Sequence, residues 1–344
     1  MKLLMTTALA TLLALPAMAQ DMPATEFNVV GSIGSLSMYT DKELPFWSEQ
    51  VPAETGGKIT ANVKPFTELG FKGGEIFRLV SNGTLQMATT VLAYNSGEVS
   101  RNEATDLVGL LSSVEQLGEV AEAWRPSYAE FLETEHNIKL LGFGTYQAQV
   151  IYCRDEFTSL ADLAGRKVRA SGASQQAFVT HLGGSPLSIA FAEVQPALTS
   201  GVVDCAITGA LSGYKAKWYE SAKFISPMPV NFGLAAQLAN LDWWNGLDAT
   251  VQEYLTTGLA GLETSIFELA ATETETGLAC NTTGPCPEGA PGGMTLVPFT
   301  EADAALRAEA VEVAILPAFA ERCGAECVAA WNASIGDKLG ITIE

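Results

Sequence analysis

The chain has 344 residues, 48% of them hydrophobic, which is enough apolar material for at least two cores. Acidic residues outnumber basic ones 39 to 19; setting aside Lys2 at the extreme N-terminus leaves 18 against 39 and a net charge of −21. Such a surface repels nucleic acid and anionic membranes and excludes both as expected partners, but it does not exclude a small anion. Screening confines surface charge to roughly 8–10 Å, so one recessed cation can outweigh distant carboxylates.

Met1 to Ala19 carries Lys2, an apolar run from Leu3 to Pro16 and the small-residue sequence Ala17-Met18-Ala19. This is the layout of a secretory signal peptide (residues 1–19) cleaved before Gln20. The run is short for a bilayer span, no cysteine follows the cleavage site to carry a lipid, and no later stretch reads as a membrane helix. The mature protein is expected to be soluble and periplasmic.

Strands are expected at Phe27–Ile33, Ile59–Pro65 and Met87–Val91, with helices over Asp41–Gln50 and Glu75–Ser81 between them. A longer helix covers Ser113–His136, and strands return at Lys139–Phe143, Gln147–Cys153, Lys167–Ala170 and Val202–Ile207. Helices over Gln175–Leu182 and Phe191–Ser200 separate the last two of these, the second stopped by Gly201. After Phe232 the pattern turns mostly helical: Asp248–Ala279, then Glu301–Ala320 and Val328–Leu339, with a Gly/Pro-rich loop over 281–293. Strand–helix alternation of this kind predicts an α/β fold with mainly parallel sheets. Its length predicts two domains facing a cleft, with ligands at strand ends in the crevice. The expected division is 20–147 plus about 233–275 for one domain, and about 148–232 plus 276–344 for the other. The long helix over Asp248–Ala279, more than about 40 Å at 1.5 Å per residue, is expected to span both.

Six cysteines in an exported chain are expected to pair. Cys280 and Cys286 flank a short loop, Cys323 and Cys327 bracket Gly324, and Cys153 and Cys205 sit at the ends of strands suited to be sheet neighbours. No histidine lies near any cysteine, so no metal is expected.

The residues with chemical content concentrate between Leu160 and Gly209. Arg169 ends a short strand just before a Ser-Gly turn, and its planar fork offers two parallel donors to a carboxylate. A salt bridge from Arg169 to Asp204 is the plainer alternative. Four segments in order carry a resemblance: Gly56-Gly57-Lys58-Ile59; Ser81-Asn82-Gly83-Thr84-Leu85-Gln86-Met87-Ala88; Asp162-Leu163-Ala164-Gly165-Arg166-Lys167-Val168-Arg169; and Phe191-Ala192-Glu193-Val194-Gln195-Pro196-Ala197-Leu198, followed by Gly201-Val202-Val203-Asp204. Together the chain resembles the extracytoplasmic solute-binding proteins of tripartite ATP-independent periplasmic (TRAP) transporters, the dicarboxylate-type, DctP-like group. The resemblance implies a two-domain clamshell that binds one organic acid and delivers it to a small and a large membrane subunit. It makes Arg169 the carboxylate grip and Phe191 part of the site wall. Two positions depart from the family pattern. Gln149 stands where many members carry a second arginine, with Gln147 and Arg154 nearby, and Thr208 stands where many carry an asparagine. Both can donate hydrogen bonds without charge, which brings monocarboxylates and keto acids level with dicarboxylates.

Tyr94, after the strand Met87–Val91, is a further candidate on the cleft, with an exposed loop position as the alternative. Tyr214 follows the Val202 strand at helical spacing with Lys215 and Trp218, and core packing explains it equally. His136 and His181 are far apart in the chain and form no catalytic or zinc motif; His136 is expected to be solvated. The absence of a Gly-x-Ser-x-Gly elbow, a Walker-type loop and a dinucleotide fingerprint argues against an enzyme and against a cofactor. A monomeric solute-binding protein is therefore the expectation. A ligand-sensing binding protein and a secreted hydrolase are the alternatives.

Overall fold

The computed structural model describes residues 22–344, so the expected leader lies outside the described residues. The chain opens with β1 (Thr25–Gly31), a helical run from Met38 that ends as α1 (Val51–Glu54), β2 (Ile59–Pro65), α2 (Ile76–Ser81) and β3 (Met87–Val91). Then α3 (Val114–His136) begins where the Ser113 hydroxyl accepts from the Gln116 N–H at 3.2 Å, and stops where Asn137 turns left-handed at φ 53°. β4 (Ile138–Thr145) and β5 (Gln149–Cys153) follow almost without a break, then β6 (Lys167–Arg169), α4 (Ala173–His181), β7 (Ser185–Leu187), α5 (Phe191–Ser200), β8 (Cys205–Gly209) and α6 (Ala210–Lys215). The remainder is β9 (Phe224–Asn231), β10 (Leu234–Asn240), α7 (Leu241–Asn245), α8 (Ala249–Asn281), β11 (Thr295–Leu296), α9 (Glu301–Ala310) and α10 (Leu316–Trp331).

These strands form two sheets, ordered β2-β1-β3-β10-β4 and β11-β9-β5-β8-β6-β7. Parallel pairs outnumber antiparallel ones only five to four, and β5 and β10 supply every antiparallel pair. Both are entered directly from the other sheet. β4 ends in the first sheet and β5 begins in the second; β9 ends in the second and β10 begins in the first. The two crossings run side by side, with Gln149 opposite Asn231 and Thr145 opposite Leu234. Two adjacent strands thus join the sheets as a pair of straps.

After Phe232 the chain is mostly helical, as expected, but β9 just before that point and β10 just after it are strands that the sequence pattern did not mark. Pro227 and Pro229 interrupt the apolar run of β9, and β10 reads Leu-Ala-Ala-Gln-Leu-Ala-Asn, without a β-branched residue. It is a strand because β3 and β4 flank it and every position is buried, so tertiary pairing overrides weak local preference. As expected, α8 spans both halves: it packs on β4 and α3 in one and on α6 in the other. Gly277 permits the second contact, because a β-carbon there would run into the backbone of Ala210 and Leu211.

The three disulfides join Cys153 to Cys205, Cys280 to Cys286 and Cys323 to Cys327. The last spans a non-helical break at Gly324 in α10. The C-terminal helices reach back to the first half, where the Trp331 indole N–H donates to the Ala104 carbonyl at 2.8 Å and Lys338 meets Glu119 at 3.1 Å. His136 is half-buried rather than solvated, edge-on to Phe77 and Phe131 at 5.0 and 4.9 Å, and burial lowers its pKa.

Candidate functional site

Beside the paired straps, the two sheets line a narrow, partly open cavity. Arg169 forms its charged wall. It is the last residue of β6, held in register between Leu187 of β7 and Ala206 of β8, so the strand end aims its side chain into the crevice. Only 2% of it is exposed. Its Nε donates to the Ile189 carbonyl at 3.1 Å and its Nη1 to the Ile207 carbonyl at 2.7 Å. It forms no ion pair among the described residues. Asp204, the alternative partner, instead accepts from the Lys167 N–H at 2.8 Å. Burial lowers the Arg169 pKa and the adjacent Tyr94 hydroxyl opposes that shift, but a guanidinium stays charged at any physiological pH. A buried charge without a counter-charge is costly, and an anion in the cavity relieves that cost.

The rest of the lining is neutral. Tyr94, Gln149, Phe191 and Thr208 stand around the same cavity as Arg169. Phe191 opens α5 and leans on Trp218 with ring centroids 5.7 Å apart, so it is wall and core together. Three polar residues that the sequence reading had not singled out join them: Tyr146, Ser171 and Ser212. The Tyr146 hydroxyl is buried beside Ser32 yet makes no well-aligned hydrogen bond. The available signal was its position in the short link between β4 and β5, legible only once both strands are placed in different sheets.

The structure does not bring Gln147, Tyr214 or Arg154 into this group. Gln147 is buried against the start of α6; with its amide oxygen turned to that helix, it accepts from the Leu211 and Ser212 N–H groups at 2.7 and 2.6 Å. Tyr214 stacks on Tyr219 at 5.2 Å and donates to the Ala290 carbonyl at 2.8 Å. Arg154 lies against Gly201, past the far end of β5.

Beyond Arg169 and Tyr94 the space continues outward to Lys72 and Glu193, which meet at 2.7 Å. Lys72 follows β2 in the first half and Glu193 lies on α5 in the second, so this exposed pair bridges the mouth. A wider groove between α3 and α8 is a poorer anion site. It carries Glu115, Glu119, Glu122, Glu263 and Glu268, and its Arg125 is already paired to Glu122 and Glu263, both at 2.5 Å. Among the described residues, no group of three His, Cys, Asp or Glu side chains is placed to hold a metal ion.

Comparison with known proteins places the chain in a family. Residues 31–318 match the family described as bacterial extracellular solute-binding protein, family 7 (DctP). Over 335 residues, 96% of each chain, the sequence is 26% identical to the C4-dicarboxylate-binding periplasmic protein DctP of Rhodobacter capsulatus. A Bordetella pertussis extracytoplasmic solute receptor binding pyroglutamic acid superposes with a TM-score of 0.79 at 22% identity, covering 90% of this chain and 99% of the other. A TRAP periplasmic solute-binding protein of Desulfovibrio salexigens with bound orotic acid gives 0.79 at 17% identity, over 91% and 98% of the two chains.

Proposed function

This chain belongs to the DctP-type solute-binding proteins, the extracytoplasmic receptors of TRAP transporters, and from that premise we propose that it captures an organic acid monoanion on Arg169 and hands it to the small and large membrane subunits. Proteins of this family bind substrates for transport and are not enzymes. The observation that carries the reading is a buried guanidinium with no ionic partner among the described residues, walling a cavity beside the paired straps. Its free donors suit the two oxygens of a carboxylate. In this reading the leader is removed on export and the receptor works in the periplasm, as a monomer. The two sheets are then the cores of two lobes, divided near residues 147 and 232, and closure of the lobes buries the ligand.

Counting charges narrows the ligand. Among the described residues, Arg169 is the one charged side chain lining the cavity, and Lys72 at the mouth is paired with Glu193. A second carboxylate would be buried without a cation, a cost that hydrogen bonds from Gln149 and Thr208 offset only in part. The relatives point both ways, to a C4-dicarboxylate in one and to pyroglutamic or orotic acid in the others. Isothermal titration of the mature protein with pyroglutamate, orotate, succinate and malate tests the reading. A monocarboxylate binds most tightly, and Arg169→Ala weakens it by about 30-fold or more, as expected for removing one partner of a buried charge pair. Undiminished affinity in that variant overturns the carboxylate grip. Tightest binding by succinate or malate overturns the charge count.

A further inference from the structure

Behind the cavity wall lies a chain of buried amides that begins at a carboxylate. Asp106 accepts from the backbone N–H groups of Phe232, Gly233 and Leu234 at 2.8, 2.6 and 3.2 Å, all on the strap between β9 and β10. It also accepts from Asn231 Nδ2 at 3.0 Å. Asn231 Oδ1 then receives Gln175 Nε2 at 2.8 Å, and the same nitrogen donates to Gln149 Oε1 at 2.8 Å. At its other end, Gln175 Oε1 accepts from the Ser171 N–H and hydroxyl at 2.8 and 3.1 Å. Asp106, Gln149, Gln175 and Asn231 are all at least 94% buried.

The polarity of this chain is fixed from both ends. Asp106 is pushed up to about 6 by burial and remains ionised at neutral pH, where it is acceptor only, so Asn231 must turn its nitrogen inward. The Ser171 N–H is donor only, so Gln175 must present its oxygen there and its nitrogen to Gln149. Gln149 is left with its oxygen engaged and its Nε2 without an acceptor among the described residues, lying over Gly233 where a side chain would otherwise sit. Gln149 lines the ligand cavity, whereas Asp106 and Gln175 lie behind it.

We propose that Asp106, Asn231 and Gln175 are positioning residues that hold the Gln149 amide with its nitrogen toward the ligand, so that this wall selects a carbonyl-type acceptor on the bound acid and is tied to the strap joining the two lobes. The inference rests on the reading of the cavity as a carboxylate site. It adds a second point of recognition beyond the Arg169 grip, one whose sense depends on residues that never touch the ligand.

Two probes of matched shape test it: L-pyroglutamate, with a ring carbonyl, and cyclopentanecarboxylate, which lacks it. The wild-type protein prefers pyroglutamate by tenfold or more in Kd. In Gln175→Glu the new carboxylate accepts from Gln149, the Gln149 amide turns over, and the preference falls below threefold. Gln175→Met, a neutral variant that removes the donor without adding charge, lowers the preference in the same direction if the acidic variant does not fold. Asp106→Asn does so from a position behind the wall. A preference that persists in folded Gln175 variants overturns the relay alone. Equal wild-type affinities for the two probes also overturn it. Failure of the wild type to bind either probe removes the cavity reading and the relay with it.

Discussion

Tyr146 lines the same cavity as Arg169, and its buried hydroxyl, beside Ser32, makes no well-aligned hydrogen bond of its own. A buried hydroxyl in that state costs stability without return until a ligand oxygen meets it. Tyr146→Phe therefore leaves the thermal midpoint of the ligand-free protein unchanged or slightly raised. It weakens the best carboxylate by about tenfold, in line with about 1.5 kcal/mol for a hydrogen bond to a charged group. Titration beside a thermal melt checks both, and full affinity in this variant removes Tyr146 from the site. Arg169 was legible in the sequence because its strand end, Ser-Gly turn and family motif are all local. Tyr146 was not, because its place appears only when β4 and β5 part into different sheets, and Gln175 was not, because its partners Gln149 and Asn231 lie 26 and 56 residues away along the chain. Gln147, two residues from Gln149, had the same credentials on paper; its amide is drawn to the N-terminus of α6 instead.

Elements long enough to show their own period were also readable in advance, and α8 is the clearest, with an expected span within two residues of the observed Ala249–Asn281. What its sequence did not disclose is that two of its glycines do opposite jobs. A β-carbon at Gly261 meets nothing within 4 Å, whereas one at Gly277 meets the backbone where β8 passes into α6. Gly261→Ala should raise stability by about 0.5–1 kcal/mol through helix propensity alone. Gly277→Ala should lower it by about 1–3 kcal/mol through overpacking. It should also weaken ligand binding, since displaced α6 carries Ser212 of the cavity wall. Urea midpoints of the two variants decide this, and a Gly277→Ala protein as stable as wild type would mean that the close approach is not needed. The straps β9 and β10 were the elements least readable from sequence. Prolines and alanines hide a strand whose identity comes from its neighbours, and the β9–β10 passage is one of the two that join the sheets.

At the scale of the whole molecule, the acidic surface and the buried carboxyls act in one direction on pH. Burial raises the pKa of Glu43, Glu103, Asp106, Glu263 and Glu273, with Asp106 reaching about 6 from the usual 3.8. A carboxyl whose folded pKa is raised takes up its proton in the native state before the unfolded chain does. Native protein therefore holds more protons between pH 3.8 and 6, and stability falls as pH rises through that window. For Asp106 the difference is worth about 3 kcal/mol at most. Asp162 and Asp248, both lowered by hydrogen bonds, act the other way, losing stability as pH falls below their unfolded values, but they sit on the surface where solvent discounts them. His136, lowered by burial, loses stability as pH falls through about 6.5 and is a single half-buried group. The net charge of −21 sides with the buried carboxyls, since protonation near pH 5 relieves its self-repulsion. The mature protein should thus unfold at higher urea at pH 5 than at pH 8, and added salt at pH 8 should recover part of the difference by screening the surface but not the buried groups. A lower midpoint at pH 5 would mean that His136 outweighs the interior carboxyls, and a complete recovery by salt would assign the whole effect to surface repulsion.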